Sequence, residues 1–210
     1  MPSKITQILT YLLQQYPQPR IELHFNTPFE FFIAALLSPR VTDKQVNKVT
    51  AQLFKVANTP QSICALGKER LVPYLNSLQY YQVKTGYVLQ SCALIVTQFG
   101  GQIPTTRAQL ESLPGVGRKV ASVVLNTLFK IPAVAVDTHV LRVSNRLGLA
   151  RSTKVKEIEK QLLASIDDQY HLELSNLLVL HGRYVCKAVK PLCSSCGLNK
   201  ICPTFNPELQ

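Results

Sequence analysis

Lys119 stands two residues after a Gly-x-Gly turn, in the run Leu113-Pro114-Gly115-Val116-Gly117-Arg118-Lys119. Glycine at 115 and 117 lets bare backbone N–H groups and the following helix N-terminus approach a phosphate oxygen, and Arg118 adds a cation there. Such a contact carries no base information. An ordinary tight turn between two helices is the simpler reading of the same pattern. The amine is less ordinary. The helix after the turn carries Val120, Val123, Val124, Leu125 and Leu128 and reads as apolar almost all round. It is therefore expected to be central and buried, with Lys119 facing a groove or a partner. The positive helix terminus and Arg118 oppose a further charge at that place, which favours a neutral amine. A neutral lysine is a nucleophile toward a carbonyl-like carbon and forms a Schiff base. A solvated surface charge is the alternative.

Asp137 follows eighteen residues later, in Val136-Asp137-Thr138-His139-Val140. It reads as the N-cap of a helix running through Leu147. Placed across a cleft from Lys119, the same carboxylate could stabilise positive charge developing on a sugar carbon and move protons. His139 is a candidate DNA contact or a structural, hydrogen-bonded histidine. Cys186, Cys193, Cys196 and Cys202 then give Cys-x6-Cys-x2-Cys-x5-Cys, four sulfurs in seventeen residues. Tetrahedral zinc is one occupant of such a loop. The single Cys-x2-Cys pair with two longer arms suits the wider wrapping of a [4Fe–4S] cluster better. Lys187, Lys190 and Lys200 on the same loop would hold cations against a phosphate backbone.

The elements that must position these groups read as helix after helix. Ile5, Ile8, Leu9, Leu12 and Leu13 form one apolar face, ended by Pro17 and Pro19. Thr27-Pro28-Phe29-Glu30 and Thr42-Asp43-Lys44-Gln45 read as capping boxes, the first with proline at the opening helical position. Val46, Val49, Leu53 and Val56 share the face that follows the second. Thr59-Pro60 opens a short helix through Leu66, and a longer one runs from about Val83 to Phe99, stopping at Gly100-Gly101. Leu110 and Leu113 belong to the short helix before the glycine turn. Ala133-Val134-Ala135-Val136 reads as a buried connector, and further helices are expected near 154–165 and 171–185. Cys64 and Cys92, inside helical patterns, read as buried small hydrophobes. The fold class is all-α.

The chain of 210 residues can bury one sizeable core or two modest ones. Its formal charge is +11. Residues 51–150 hold ten Lys or Arg against three Asp or Glu, whereas the last sixty hold eight against six, so the surplus lies mid-chain. That excess points to a polyanionic partner, either nucleic acid or an anionic membrane face. No apolar run approaches the ~20 residues of a membrane span, and the N-terminus lacks signal-peptide architecture. A cytoplasmic, nucleoid-associated protein is expected, and a reducing compartment argues against disulfides among the six cysteines.

The glycine turn with its lysine, the aspartate and the cysteine loop, in this order and at these spacings, resemble the endonuclease III family of base-excision DNA glycosylases. The resemblance takes in Leu36-Leu37-Ser38 with Thr42-Asp43, Leu113 to Lys119, Val136 to Val140, and His181-Gly182-Arg183-Tyr184-Val185-Cys186 with the remaining cysteines. It implies a two-domain helix-hairpin-helix fold: a six-helix domain over 22–131, and a discontinuous domain of 1–21 and 132–210 that carries the iron–sulfur loop 186–202. It implies catalysis by Lys119 and Asp137, a [4Fe–4S] cluster on Cys186, Cys193, Cys196 and Cys202, and a phosphate grip by Gly115 and Gly117. The implied partner is double-stranded DNA containing damaged pyrimidines or abasic sites, bound by a monomer. The implied activity is glycosylase and lyase: base removal through a lysine Schiff base, then β-elimination 3′ to the lesion.

Two departures concern the loops that, in the family, fill the gap left by a flipped nucleotide. The family usually has glutamine where this chain has Arg40, and a Gly-Leu pair where it has Gln79-Tyr80. Arg40 and Tyr80 are the expected wedge here, through stacking and cation–π contact. The readings that compete are a mismatch or adenine glycosylase on the same fold, and a non-catalytic iron–sulfur module that binds DNA or senses redox state.

Overall fold

The computed structural model describes residues 2–19 and 21–209. Ten α-helices and four short 3-10 turns are present among them, with no strand. The chain divides into two compact units, one of Glu22–Phe129 and one joining Met1–Ile21 to Lys130–Gln210.

The Glu22–Phe129 unit is built around α2 (Pro28–Leu37), whose sequence PFEFFIAALL leaves no polar stripe. Every residue from Phe29 to Leu37 is buried. A helix with this composition has to be surrounded, and α3 (Asp43–Leu53), α5 (Tyr81–Phe99) and α7 (Arg118–Phe129) pack against it. α4 (Pro60–Leu75) lies along α5, and α6 (Arg107–Glu111) precedes α7. Threonine caps four of these starts. Thr27, Thr42, Thr59 and Thr106 each accept from the backbone N–H three residues on, a contribution of about 1 kcal/mol apiece.

Several local expectations are corrected. Glu30 does not close a capping box on Thr27; its Oε2 accepts from the Asn26 N–H, one residue further out, at 2.6 Å. The helix expected through Leu66 does end there, at Gly67 (φ 72°, ψ 173°); what the sequence did not mark is the second helical stretch that runs on from the kink to Leu75. Val56 lies beyond the end of α3 and is 54% exposed. Of the two isolated cysteines only Cys92 is buried; Cys64 is exposed. Burial pushes the Cys92 thiol far up.

The other unit gathers α1 (Lys4–Gln15), α8 (Thr138–Leu147), α9 (Val155–Ser165) and α10 (His171–Tyr184) around a core of Ile8, Leu12, Val140, Val143, Ile158 and Leu177 with their neighbours. The Ala133–Val136 connector is buried as expected and pairs with no strand. Its Ala135 N–H is satisfied by Ser175 Oγ at 2.9 Å. Because α2 is enclosed on all sides, Phe32→Ala is expected to lower unfolding stability by about 3–5 kcal/mol, measured as a shift of the urea midpoint at constant slope.

Candidate active site and cysteine loop

The glycine turn is locked from behind by α5. Ser91 Oγ donates to the Pro114 carbonyl at 2.9 Å. Gly115 sits at φ +80°, and a Cβ there would meet the Tyr87 ring at 2.5 Å. Its glycine is thus required by backbone conformation and by packing. Gly117 differs: a Cβ there would meet nothing within 4 Å, and the residue is exposed. No internal packing accounts for it, so its bare backbone faces outward. Arg107, on α6, donates to Ser122 Oγ at 3.0 Å and pairs with Glu111 at 3.5 Å, tying α6 to α7 across the turn.

Lys119 is the second residue of α7 and is exposed. The sequence reading made α7 buried nearly all round. Instead Val120, Ala121, Ser122, Val124 and Leu125 are buried, while Val123 and Leu128 are half-buried. The helix has one buried face, and Lys119 lies off it. Asp137 belongs to the other unit. It caps α8 as expected, its Oδ1 accepting from the N–H groups of His139 and Val140 at 2.8 and 2.9 Å. These two bonds fix the orientation of the carboxylate at the head of α8. His139 is half-buried, with Nδ1 3.2 Å from Arg142 Nη2.

Two arginines of α8, one turn apart, stitch down the arm that carries Cys186. Arg142 donates to the carbonyls of Gly182 and Cys186 at 2.9 and 3.1 Å. Arg146 donates from Nη1 to the Lys187 carbonyl at 2.7 Å and to Cys186 Sγ at 3.5 Å. The Arg146 carbonyl also accepts from Thr204 Oγ1 and Cys202 Sγ, at 2.8 and 3.4 Å. One residue therefore anchors both ends of the cysteine loop. Neither arginine is singled out by the sequence pattern, because each acts through carbonyls some forty residues away.

Cys186, Cys193, Cys196 and Cys202 line one cavity, together with Leu147, His181 and Pro191. All four are free thiols and half-buried. Among the described residues, no three Cys, His or acidic side chains converge closely enough for a single metal ion. The sulfurs ring a space instead of a point. Burial pushes the Cys196 thiol up, and the other three cysteines push the same way against the Leu198 backbone; a bound cation would relieve that repulsion. His181 Nε2 lies 3.9 Å from Cys196 Sγ, and burial lowers the imidazole to about 4, so it is neutral. Lys187 and Lys190 are exposed on either side of Val189, itself 77% exposed, with Lys190 at φ 50°.

Arg40 and Tyr80 are brought together. Both are exposed non-glycine residues at φ 60°. Arg40 Nη1 donates to Tyr80 Oη at 3.0 Å, and its guanidinium carbon lies 5.5 Å from the ring centroid. Beneath them is a group that the sequence reading passed over. Lys84 is only 6% exposed and donates to the carbonyls of Leu37 and Pro39 at 2.7 and 2.9 Å. Burial holds its amine below the usual lysine range. The signal was available: Lys84 is in phase with Val88, Ser91, Cys92 and Ile95, the buried stripe of α5.

These parts define a class. Residues 33–167 match the model of the HhH-GPD superfamily of base excision DNA repair proteins. The chain is 44% identical over 200 residues to endonuclease III of Escherichia coli (strain K12), and equally so to that of Haemophilus influenzae, covering 95% of both chains in each case. Its structure matches a trapped endonuclease III–DNA covalent intermediate in an estranged-adenine complex, with a TM-score of 0.91 and 38% identity over the whole of both chains. The chain belongs to the endonuclease III family within that superfamily. It is an enzyme, a base-excision DNA glycosylase that is also a lyase at abasic sites.

The two glycines of the turn are expected to separate on substitution. Gly115→Ala should destabilise the protein by about 1–3 kcal/mol through its positive φ and the Tyr87 ring. Gly117→Ala should leave the melting transition within about 0.5 kcal/mol.

Proposed function

We propose that this enzyme removes oxidised or ring-damaged pyrimidines from double-stranded DNA and cleaves at the resulting abasic site, with Lys119 as nucleophile and Asp137 as its electrostatic partner. The observation that carries the residue assignment is the exposed Lys119 at the head of α7, directly after a turn whose second glycine has open space around it. We read the units Glu22–Phe129 and Met1–Ile21 with Lys130–Gln210 as the two domains of the family. The protein acts as a monomer at the nucleoid. Among the described residues, no helix is long and apolar enough to cross a membrane.

The damaged nucleotide leaves the stack before it reacts. The backbone N–H groups around Gly115 and Gly117, with Arg118, hold the phosphate, and His139, Lys187 and Lys190 add contacts to the strand. The Lys119 Nζ lone pair bonds to C1′ as the C1′–base bond breaks and the base departs with the bonding electrons. The Asp137 carboxylate stabilises the positive charge that builds on the sugar. Loss of a proton from nitrogen and opening of the sugar ring give the iminium. The iminium acidifies the C2′ proton; its removal expels the 3′ phosphate oxygen and breaks the strand.

The cysteine loop fits a [4Fe–4S] cluster by the chemistry of its donors: four thiols on one cavity and no carboxylate among its lining residues. Cys186, Cys193, Cys196 and Cys202 would hold it. When bound, the cluster supplies a cross-link that fixes the basic loop, and the Arg146 guanidinium beside Cys186 offsets its negative charge.

Borohydride reduction in the presence of abasic-site DNA is expected to trap wild-type protein on the strand. Lys119→Gln should abolish the adduct, and Asp137→Asn should slow its formation by about 10²-fold or more. Adduct formation by Lys119→Gln would refute the assignment. Purified protein should contain about four irons per chain; zinc in place of iron would refute the cluster.

A further inference from the structure

We infer that Lys84 is a positioning residue that joins Arg40 and Tyr80 into one preassembled wedge. This rests on the proposed function, in which the two loops fill the gap left by the flipped nucleotide. Arg40 lies in the turn from Ser38 to Val41, where the Val41 N–H donates to the Ser38 carbonyl at 3.0 Å. Tyr80 is the residue that opens α5, and its side chain makes no cap. Each sits in the left-handed region at φ 60°, which residues with a side chain rarely adopt unless their surroundings hold them there.

Lys84 links the two places: its amine holds the Arg40 turn, and its backbone belongs to the first turn of α5, which Tyr80 opens through an ordinary helix bond. Its Nζ donates to the Pro39 carbonyl, which belongs to the peptide unit that enters Arg40. Its backbone N–H donates to the Tyr80 carbonyl at 3.0 Å. The same Nζ caps the Leu37 carbonyl at the C-terminus of α2, where the helix dipole favours a cation. One residue thus clamps the chain on either side of the Arg40–Tyr80 contact, from a position out of water. The two side chains are already engaged through Oη and the ring face. Both side chains are exposed, and the guanidinium keeps further N–H donors beyond the one given to Tyr80. Two separately mobile loops would each lose conformational freedom on entering the duplex. A preformed pair has lost most of it already, which lowers the cost of insertion.

The test is a pair of mutant cycles read as single-turnover excision of a damaged pyrimidine from a duplex, with thermal unfolding measured alongside. Lys84→Met keeps the stem and removes the donors. It should slow excision by about tenfold in the wild-type background and by less than about twofold in Arg40→Ala/Tyr80→Ala, where no wedge remains to be positioned. A merely structural lysine would cost the same in both backgrounds, and that result overturns the inference. Lys84→Arg, which retains donors, should recover much of the rate. The second cycle is independent of whether Lys84→Met folds. If Arg40 and Tyr80 act as a unit, the double alanine variant is no slower than the slower single; additive losses overturn the inference. Borohydride trapping of the wild type separates the two levels. No adduct with abasic-site DNA refutes the proposed function itself, whereas an adduct accompanied by additive cycles refutes only the wedge.

Discussion

A ten-residue helix without a polar side has no stable place except the middle, and α2 takes it. Burying its phenylalanines and leucines is the dominant favourable term in the Glu22–Phe129 unit. It also fixes more than stability. α7 packs on one side of α2 and starts with Arg118 and Lys119; α5 packs on another and carries Tyr87, Ser91 and Lys84. The chain leaving the end of α2 becomes the loop of Arg40. The glycine turn, Lys119 and the Arg40–Tyr80 pair, to which the proposed function gives the phosphate grip, the nucleophile and the wedge, are therefore outgrowths of helices set around one apolar axis, and their spacing inherits the rigidity of close packing.

The cysteine loop obeys a different rule. Its polypeptide contributes little apolar area, and Leu198 is its one deeply buried aliphatic side chain. What holds it is polar: the guanidinium groups of Arg142 and Arg146, the Thr204 hydroxyl, and the Tyr11 hydroxyl, which accepts from the Gly197 N–H at 3.2 Å. Charge-assisted bonds to carbonyls tolerate little displacement before they weaken. These bonds act beside the packing of Leu198, Ile201 and the cysteines Cys186, Cys196 and Cys202 against the core of this unit.

Much of this was legible in the sequence because the signals are local. Threonines before proline or a hydrophobic run mark helix starts, Gly100 marks an end, and the Asp137 carboxylate has its N–H partners two and three residues away. Illegible features depend on distant neighbours. Nothing near Lys84 shows that carbonyls 45 and 47 residues earlier will receive its amine. Composition suggested a wholly buried α7, but a helix is enclosed only as far as neighbours reach round it, and Lys119 escaped. Gly67 does break α4, but the helical stretch beyond it, which packs along α5 to Leu75, leaves no comparable local mark. Cys64 and Cys92 are equivalent in pattern and opposite in exposure. The roles proposed for Lys119, Asp137 and the four cysteines rest on residue types at characteristic spacings, which can be read without knowing the packing.

The discontinuity of the terminal unit has a consequence during synthesis. α1 is made first, but the partners of Ile8, Leu9 and Leu12 lie on segments beyond residue 130. At ribosomal speeds its apolar stripe waits on the order of ten seconds for them, while the intervening unit can complete its own core. The helix is short enough to stay largely unfolded in that interval. Its burial is then a late, long-range event, so the last helices to emerge decide when the first residues of the chain find their place.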